Sequence, residues 1–143
     1  TLLLFNQKIN IRVVIHKLNY KRLPYLADFI YHNFPFVYHI AFMQMEVFGM
    51  ARENIAELWI DPFDYNEELK EAITYLSLRD MEVSIYNAQL CVLPKELRKF
   101  ARRSISGWKN IYLSECNECL CKNECGGFFA SSEDIHSRHI FQQ

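Results

Sequence analysis

Glycine is scarce in this chain: there are four among 143 residues, and two of them stand side by side at Gly126 and Gly127. No stretch therefore forms the glycine-rich loop that wraps a nucleotide phosphate. No Ser, His and Asp fall into the strand–turn–helix elbow of a hydrolase, and no catalytic residue is assigned. Long apolar runs are missing too. None reaches the roughly 18 residues that a membrane span requires, so no membrane partner is expected. Charge of one sign does not dominate, with Lys and Arg totalling 16 against 17 Asp and Glu. Such a balance gives no field that draws nucleic acid, and no nucleic-acid partner is expected. Repeats and low-complexity tracts are absent. The cysteine count is odd, at five, and no stretch reads as a secretory signal. Both facts argue against a disulfide framework and for a cytoplasmic location.

Half of the residues are hydrophobic and 15% are aromatic, enough to fill one sizeable core. Ile11 to His16 is a β-branched run that predicts a strand. A helix follows, with Pro24 early in its first turn, where a missing amide proton matters least. Leu23, Leu26, Ala27, Ile30 and Phe34 recur along it at helical spacing, and Asn33-Phe34-Pro35 ends it. Residues 36–45 are apolar on both faces, as in a parallel strand covered on both sides. Asp64 and Glu67 resemble a capping box opening a second helix. Leu69, Ala72, Ile73 and Leu76 give its buried stripe, and Arg79 suits its last turn. Met81 to Tyr86 predicts a third strand, and Thr1 to Phe5 the end of a further element. Met43, Met45 and Met50 read as core filler.

Strands separated by helices of this length make parallel βαβ units. The expected fold is α/β: a partial parallel (β/α) barrel of about three βα units, followed by an irregular cysteine-rich metal-binding tail. A closed barrel takes on the order of 250 residues. The chain also lacks an initiator methionine and starts in mid-pattern, so it is expected to be part of something larger.

Four of the five cysteines fall between residues 116 and 125, in Cys116-Asn-Glu-Cys119-Leu-Cys121-Lys-Asn-Glu-Cys125-Gly-Gly. Cys116-x2-Cys119 lets two thiolates converge from one tight turn. Cys125 has enough chain before it to loop round with a third sulfur, and Cys91, beside the third strand, is the natural fourth ligand. Gly126 and Gly127 allow positive φ and close backbone approach, and their amides can hydrogen-bond thiolate sulfur. Four thiolates suit either zinc or a [4Fe–4S] cluster. One C-x2-C knuckle plus a distant cysteine favours iron–sulfur over a zinc ribbon.

A parallel half barrel ending in C-x2-C-x5-C-G-G resembles the C-terminal half of a radical S-adenosylmethionine (radical SAM) enzyme with an auxiliary-cluster tail of the SPASM/twitch kind. More narrowly, it resembles the radical SAM maturases of the His-Xaa-Ser peptide-modification system. The similarity runs in order through Leu58-Trp-Ile-Asp-Pro62, Val83-Ser-Ile-Tyr-Asn87, Gln89-Leu-Cys91, Ser104-Ile-Ser106, Trp108-Lys-Asn110 and Cys125-Gly-Gly-Phe-Phe129. It implies a partial barrel over residues 1–90 and an auxiliary cluster-binding region over 91–143. It also implies a [4Fe–4S] cluster on Cys91, Cys116, Cys119 and Cys125, with Cys121 outside the pattern. In the intact protein it implies S-adenosylmethionine as cofactor and a peptide as substrate. The chain departs from the family at one point. The initiating cluster needs C-x3-C-x2-C, and the only C-x3-C here, Cys121 to Cys125, is followed three positions on by Phe128. The chain by itself is therefore expected not to cleave S-adenosylmethionine. The competing reading is a non-catalytic interaction module stabilised by zinc.

Ligands of parallel α/β folds sit at the carboxyl ends of the strands. Asn19, Gln44, Glu46, Asn87 and Gln89 follow the three strands and are the candidates for lining a cofactor or substrate mouth. Lys95, Arg98, Lys99, Arg102 and Arg103 predict a basic helix that could balance an anionic cluster. His136 and His139 read as surface residues of a polar tail.

Overall fold

The computed structural model describes residues 7–103, 107 and 110–141. The element expected at Thr1 to Phe5 and the stretches Ser104-Ile-Ser106 and Trp108-Lys109 lie outside the described residues. Four strands form one parallel sheet in the order β1 (Asn10–Ile15), β2 (His39–Gln44), β3 (Val83–Tyr86) and β4 (Ala101–Arg102). Ile11 and Val13 stand opposite Ile40 and Phe42, which in turn stand opposite Val83 and Ile85. The α/β class and the alternation of parallel strands with helices are as expected.

Period-two side-chain alternation decides which face of β1 is covered. Val13 and Ile15 are buried, whereas Asn10, Arg12 and Val14 are exposed. The buried row packs on α1 (Leu23–Asn33) and α4 (Asn66–Ser77), whose stripes Leu23, Ala27, Ile30 and Leu69, Ala72, Ile73, Leu76 join it in one core. Pro24 lies in the first turn of α1. The last turn closes with the amide of Phe34 donating to Ile30 O at 2.8 Å and Asn33 Nδ2 to Phe29 O at 2.8 Å. Arg79 lies just past α4 and donates to the carbonyl of Tyr75 at 2.9 Å, where the helix leaves acceptors unpaired.

Four local expectations differ. β2 is confined to His39–Gln44, because the turn at Pro35 and Phe36 occupies the chain before it. Asp64 and Glu67 form no capping box. A 3₁₀ turn over Pro62–Tyr65 precedes α4, so Asp61 takes the capping role and accepts from the amide of Phe63 at 2.9 Å. The basic run is not a helix. Pro94 opens a 3₁₀ stretch over Lys95–Phe100 that drives Leu97 into the core, and the chain then extends into β4 beside β3. Met50 is 76% exposed and heads a short helix, so it fills no core.

Two one-turn helices, α2 (Met50–Glu53) and α3 (Ile55–Leu58), connect β2 to the Asp61 turn. Beyond β4 the tail folds back on itself through an antiparallel pair, β5 (Asn110–Ile111) with β6 (Phe128–Phe129). Among the described residues no helix is long and apolar enough to cross a membrane.

Candidate metal centre and the adjoining cavity

Cys91 leaves the end of β3 between two buried residues, Leu90 and Val92. A turn in which the amides of Val92 and Leu93 both donate to Gln89 O fixes that segment. The other thiols come from consecutive tight turns. Cys116 closes a 3₁₀ turn, the amide of Cys119 donates to Cys116 O at 3.3 Å, and that of Cys125 to Cys121 O at 2.9 Å. All five cysteines are free and half-buried. All five line a single cavity of about 20 Å³, so the fold brings Cys91 together with the distant Cys116–Cys125 segment. Cys121 is on this cavity as well, although the C-x2-C-x5-C pattern leaves it out.

Burial pushes the Cys91 thiol above its ordinary value, and the neighbouring sulfurs of Cys125 and Cys116 add to the shift. Cys116 is raised in the same way, first by burial and then by Cys125 and Cys119. Thiols that burden one another like this are kept apart from thiolate charge unless a cation joins them. Among the described residues no three His, Cys, Asp or Glu side chains stand together as a ready site for one metal ion.

The two glycines after Cys125 have different duties. Gly127 has φ +67°, and a Cβ there would stand 2.7 Å from Ile111 O and 3.2 Å from the ring of Tyr112. Gly126 meets nothing closer than 3.7 Å. The bare backbone at Gly127 lets β6 close on β5, and Tyr112 then donates its hydroxyl to Cys125 O at 2.9 Å. Gln89 holds the tail from the sheet side, donating Nε2 to Gly127 O at 2.9 Å. Of the basic run, Arg103 reaches the cysteine loop, donating to Asn123 O at 3.0 Å.

The expected mouth at the strand ends is partly assembled. Gln44, Asn87 and Gln89 line one cavity of about 40 Å³ at the carboxyl ends of the strands. Asn87 has φ +61° and donates Nδ2 to Gln44 O at 3.4 Å. Asn19 and Glu46 do not line it. Asn19 instead satisfies its own loop, accepting from the amide of His16 at 2.9 Å and donating to Val14 O at 2.8 Å. Glu46 accepts from the hydroxyl of Ser131 at 3.3 Å.

The rest of the wall is Ile15, Met45, four residues from Trp59 to Tyr65, and residues 128–137 of the tail, which sequence periodicity does not reveal. The tail is pinned there by Arg52 with Asp134 and by Arg138 with Asp64. His139 stacks on Phe63 at 3.7 Å between ring centres, and exposed His136 sets its ring edge-on to Phe128 at 5.7 Å. Buried Asp61 is the anchor, since its carboxylate accepts from the amides of Phe63 and Arg138 at 2.9 and 3.0 Å. Burial pushes its carboxyl upward, but the Ser137 hydroxyl, those two amides and the Arg138 guanidinium together hold it below the ordinary range. Asp61-Pro62 signals a turn in the sequence; nothing there signals that its partner is Arg138. No protein family, curated protein or solved structure matches the chain.

Proposed function

We propose that this chain is the C-terminal part of a radical SAM peptide maturase that holds an auxiliary [4Fe–4S] cluster on Cys91, Cys116, Cys119 and Cys125. One observation carries the reading: thiols from two distant stretches line one cavity beside the carboxyl ends of a parallel sheet. The donor set fits the cluster, being sulfur only and gathered from tight turns that leave their amides near it. A zinc ion draws its thiolates to about 2.3 Å from one point. One C-x2-C knuckle with a distant Cys91, in place of the two knuckles of a zinc ribbon, favours the iron–sulfur centre over the zinc module.

When bound, the cluster supplies a redox-active iron centre whose irons are saturated by protein thiolates. The chain's own residues do the rest. Cys91 ties the tail to β3, Gln89 and Tyr112 fix the backbone at Gly127 and Cys125, and Lys122 at the rim places a positive charge beside an anionic centre. In the intact protein, the initiating cluster would be held outside this chain, with S-adenosylmethionine as cofactor and a peptide as substrate. The test is anaerobic purification with iron, sulfide and zinc analysis. Brown protein with broad absorption near ~400 nm and about four irons per chain is expected. Colourless protein carrying one equivalent of zinc would overturn the reading in favour of the zinc-stabilised module.

A further inference from the structure

Gln44, on the wall of the cavity at the strand ends, carries a fully buried donor without a partner. Gln44 is 8% exposed, and its Nε2 has no hydrogen-bond partner. The other two amide side chains on the cavity are engaged: Asn87 Nδ2 with Gln44 O, and Gln89 Nε2 with Gly127 O. A buried amide left unpaired costs about 1–3 kcal/mol, so such a group ordinarily has an acceptor.

The lining selects the acceptor's charge. It contains no Lys, Arg, Asp or Glu; His136 lies on the tail side, and its other walls include Ile15, Trp59 and Phe128. An anion entering here would lose water with no Lys or Arg on the wall to meet it; a neutral carbonyl loses far less. Volume selects the size. At 10–15 Å³ for each water-sized probe, a space of 40 Å³ takes about three waters, the bulk of a small carboxamide.

We propose that this cavity is a binding site for a neutral carboxamide group, as presented by a peptide unit or a side-chain amide, with Gln44 Nε2 donating to its carbonyl oxygen. The site is separate from the thiol cavity and does not depend on which metal the cysteines hold. Tail residues 128–137 form one of its walls.

The test is a titration of the isotope-labelled full chain with acetamide, followed by amide NMR. Saturable shifts are expected at the Gln44 side-chain amide and at Asn87 and Gln89. Gln44→Met keeps the length and removes the donor, and should weaken binding at least about tenfold while the rest of the spectrum stays native. Ser132→Leu fills the space from the tail side, leaves the Gln44 donor in place and should abolish saturation. Shifts that grow linearly without saturating, or saturable shifts of equal affinity in both variants, would overturn the proposal. A Gln44 amide that contacts only water and ignores acetamide would do the same.

Discussion

Gly127→Ala isolates the strain in the tail. Alanine at φ +67° occupies the left-handed region, which costs a non-glycine residue roughly 1–2 kcal/mol. Its Cβ would also lie 2.7 Å from Ile111 O, a backbone atom that cannot swing aside like a side chain. Relief must come from parting Ile111 from Phe128, which loses about one net hydrogen bond, or ~1 kcal/mol. The sum is roughly 2–3 kcal/mol, a 30- to 150-fold rise in opening of this segment. Gly126→Ala is the internal control. Its Cβ would meet nothing nearer than 3.7 Å, so its effect should stay within about 0.5 kcal/mol. Hydrogen exchange of residues 110–129 reads both. Large acceleration in Gly127→Ala with little in Gly126→Ala is expected, while exchange at β1 and β2 stays unchanged in both. Equal behaviour of the two variants would refute the assignment of strain to Gly127.

The proposed cluster ligands are tested by iron content: alanine at Cys91, Cys116, Cys119 or Cys125 should abolish iron retention, whereas Cys121→Ala should keep it. Loss of iron in Cys121→Ala with retention in Cys91→Ala would exchange the fourth ligand. Reconstituted chain should form no 5′-deoxyadenosine from S-adenosylmethionine under strong reductant; formation above a protein-free control would contradict a fully thiolate-saturated centre. Asp61→Ala strands the amides of Phe63 and Arg138 and should destabilise by roughly 2–3 kcal/mol in thermal or urea unfolding. In the native chain the Asp61 carboxyl lies lower than in the unfolded one. Its contribution is therefore full above the unfolded value and fades as pH falls through the folded one. A stability profile from pH 7 into the acid range should lose its Asp61-dependent part only below the ordinary carboxylate range, and Asp61→Asn should flatten that part. Ile73→Ala, at a fully buried position in α4, should cost about 2–5 kcal/mol and expose the whole sheet–helix core to exchange.

The sheet and its two main helices are legible because their signals are local. The β-branched run of β1 marks a strand, and Leu69, Ala72, Ile73 and Leu76 recur at helical spacing, so the sequence displays the strand and the buried face of α4 directly. The cysteine gathering is legible for the same reason, four thiols lying close in sequence. What is not legible depends on partners far away. Asp61 displaces the expected Asp64 cap because Pro62 moves the helix start, and its second partner, Arg138, lies 77 residues on. The run from Lys95 to Arg103 carries helical charge spacing, but Pro94 and buried Leu97 commit it to a 3₁₀ turn and then to the sheet edge. Likewise Asn19 and Glu46 follow strands as mouth residues do, and only the folded chain shows their polar groups satisfied nearby.

Gln89 joins the two halves of the candidate site. Its side chain lines both cavities, and Phe128 separates them on the tail side. Its amide donates to Gly127 O, the residue on which closure of β5 and β6 depends. A metal bound between Cys91 and the Cys116–Cys125 turns would close a long loop across this same point, restricting the unfolded chain by roughly 3 kcal/mol, as a crosslink of comparable loop length does. One wall of the Gln44 cavity is the segment directly after Gly127. Holding the thiols together therefore also holds residues 128–137 over the strand ends. Loss of the metal should release residues 110–129 to protease first and widen the carboxamide cavity with them, while the β1–β2–β3 core, carried by Phe42, Ile73 and Ile85, keeps its protection. Simultaneous release of core and tail would mean that the cysteines stabilise the sheet itself rather than the strap laid across its end.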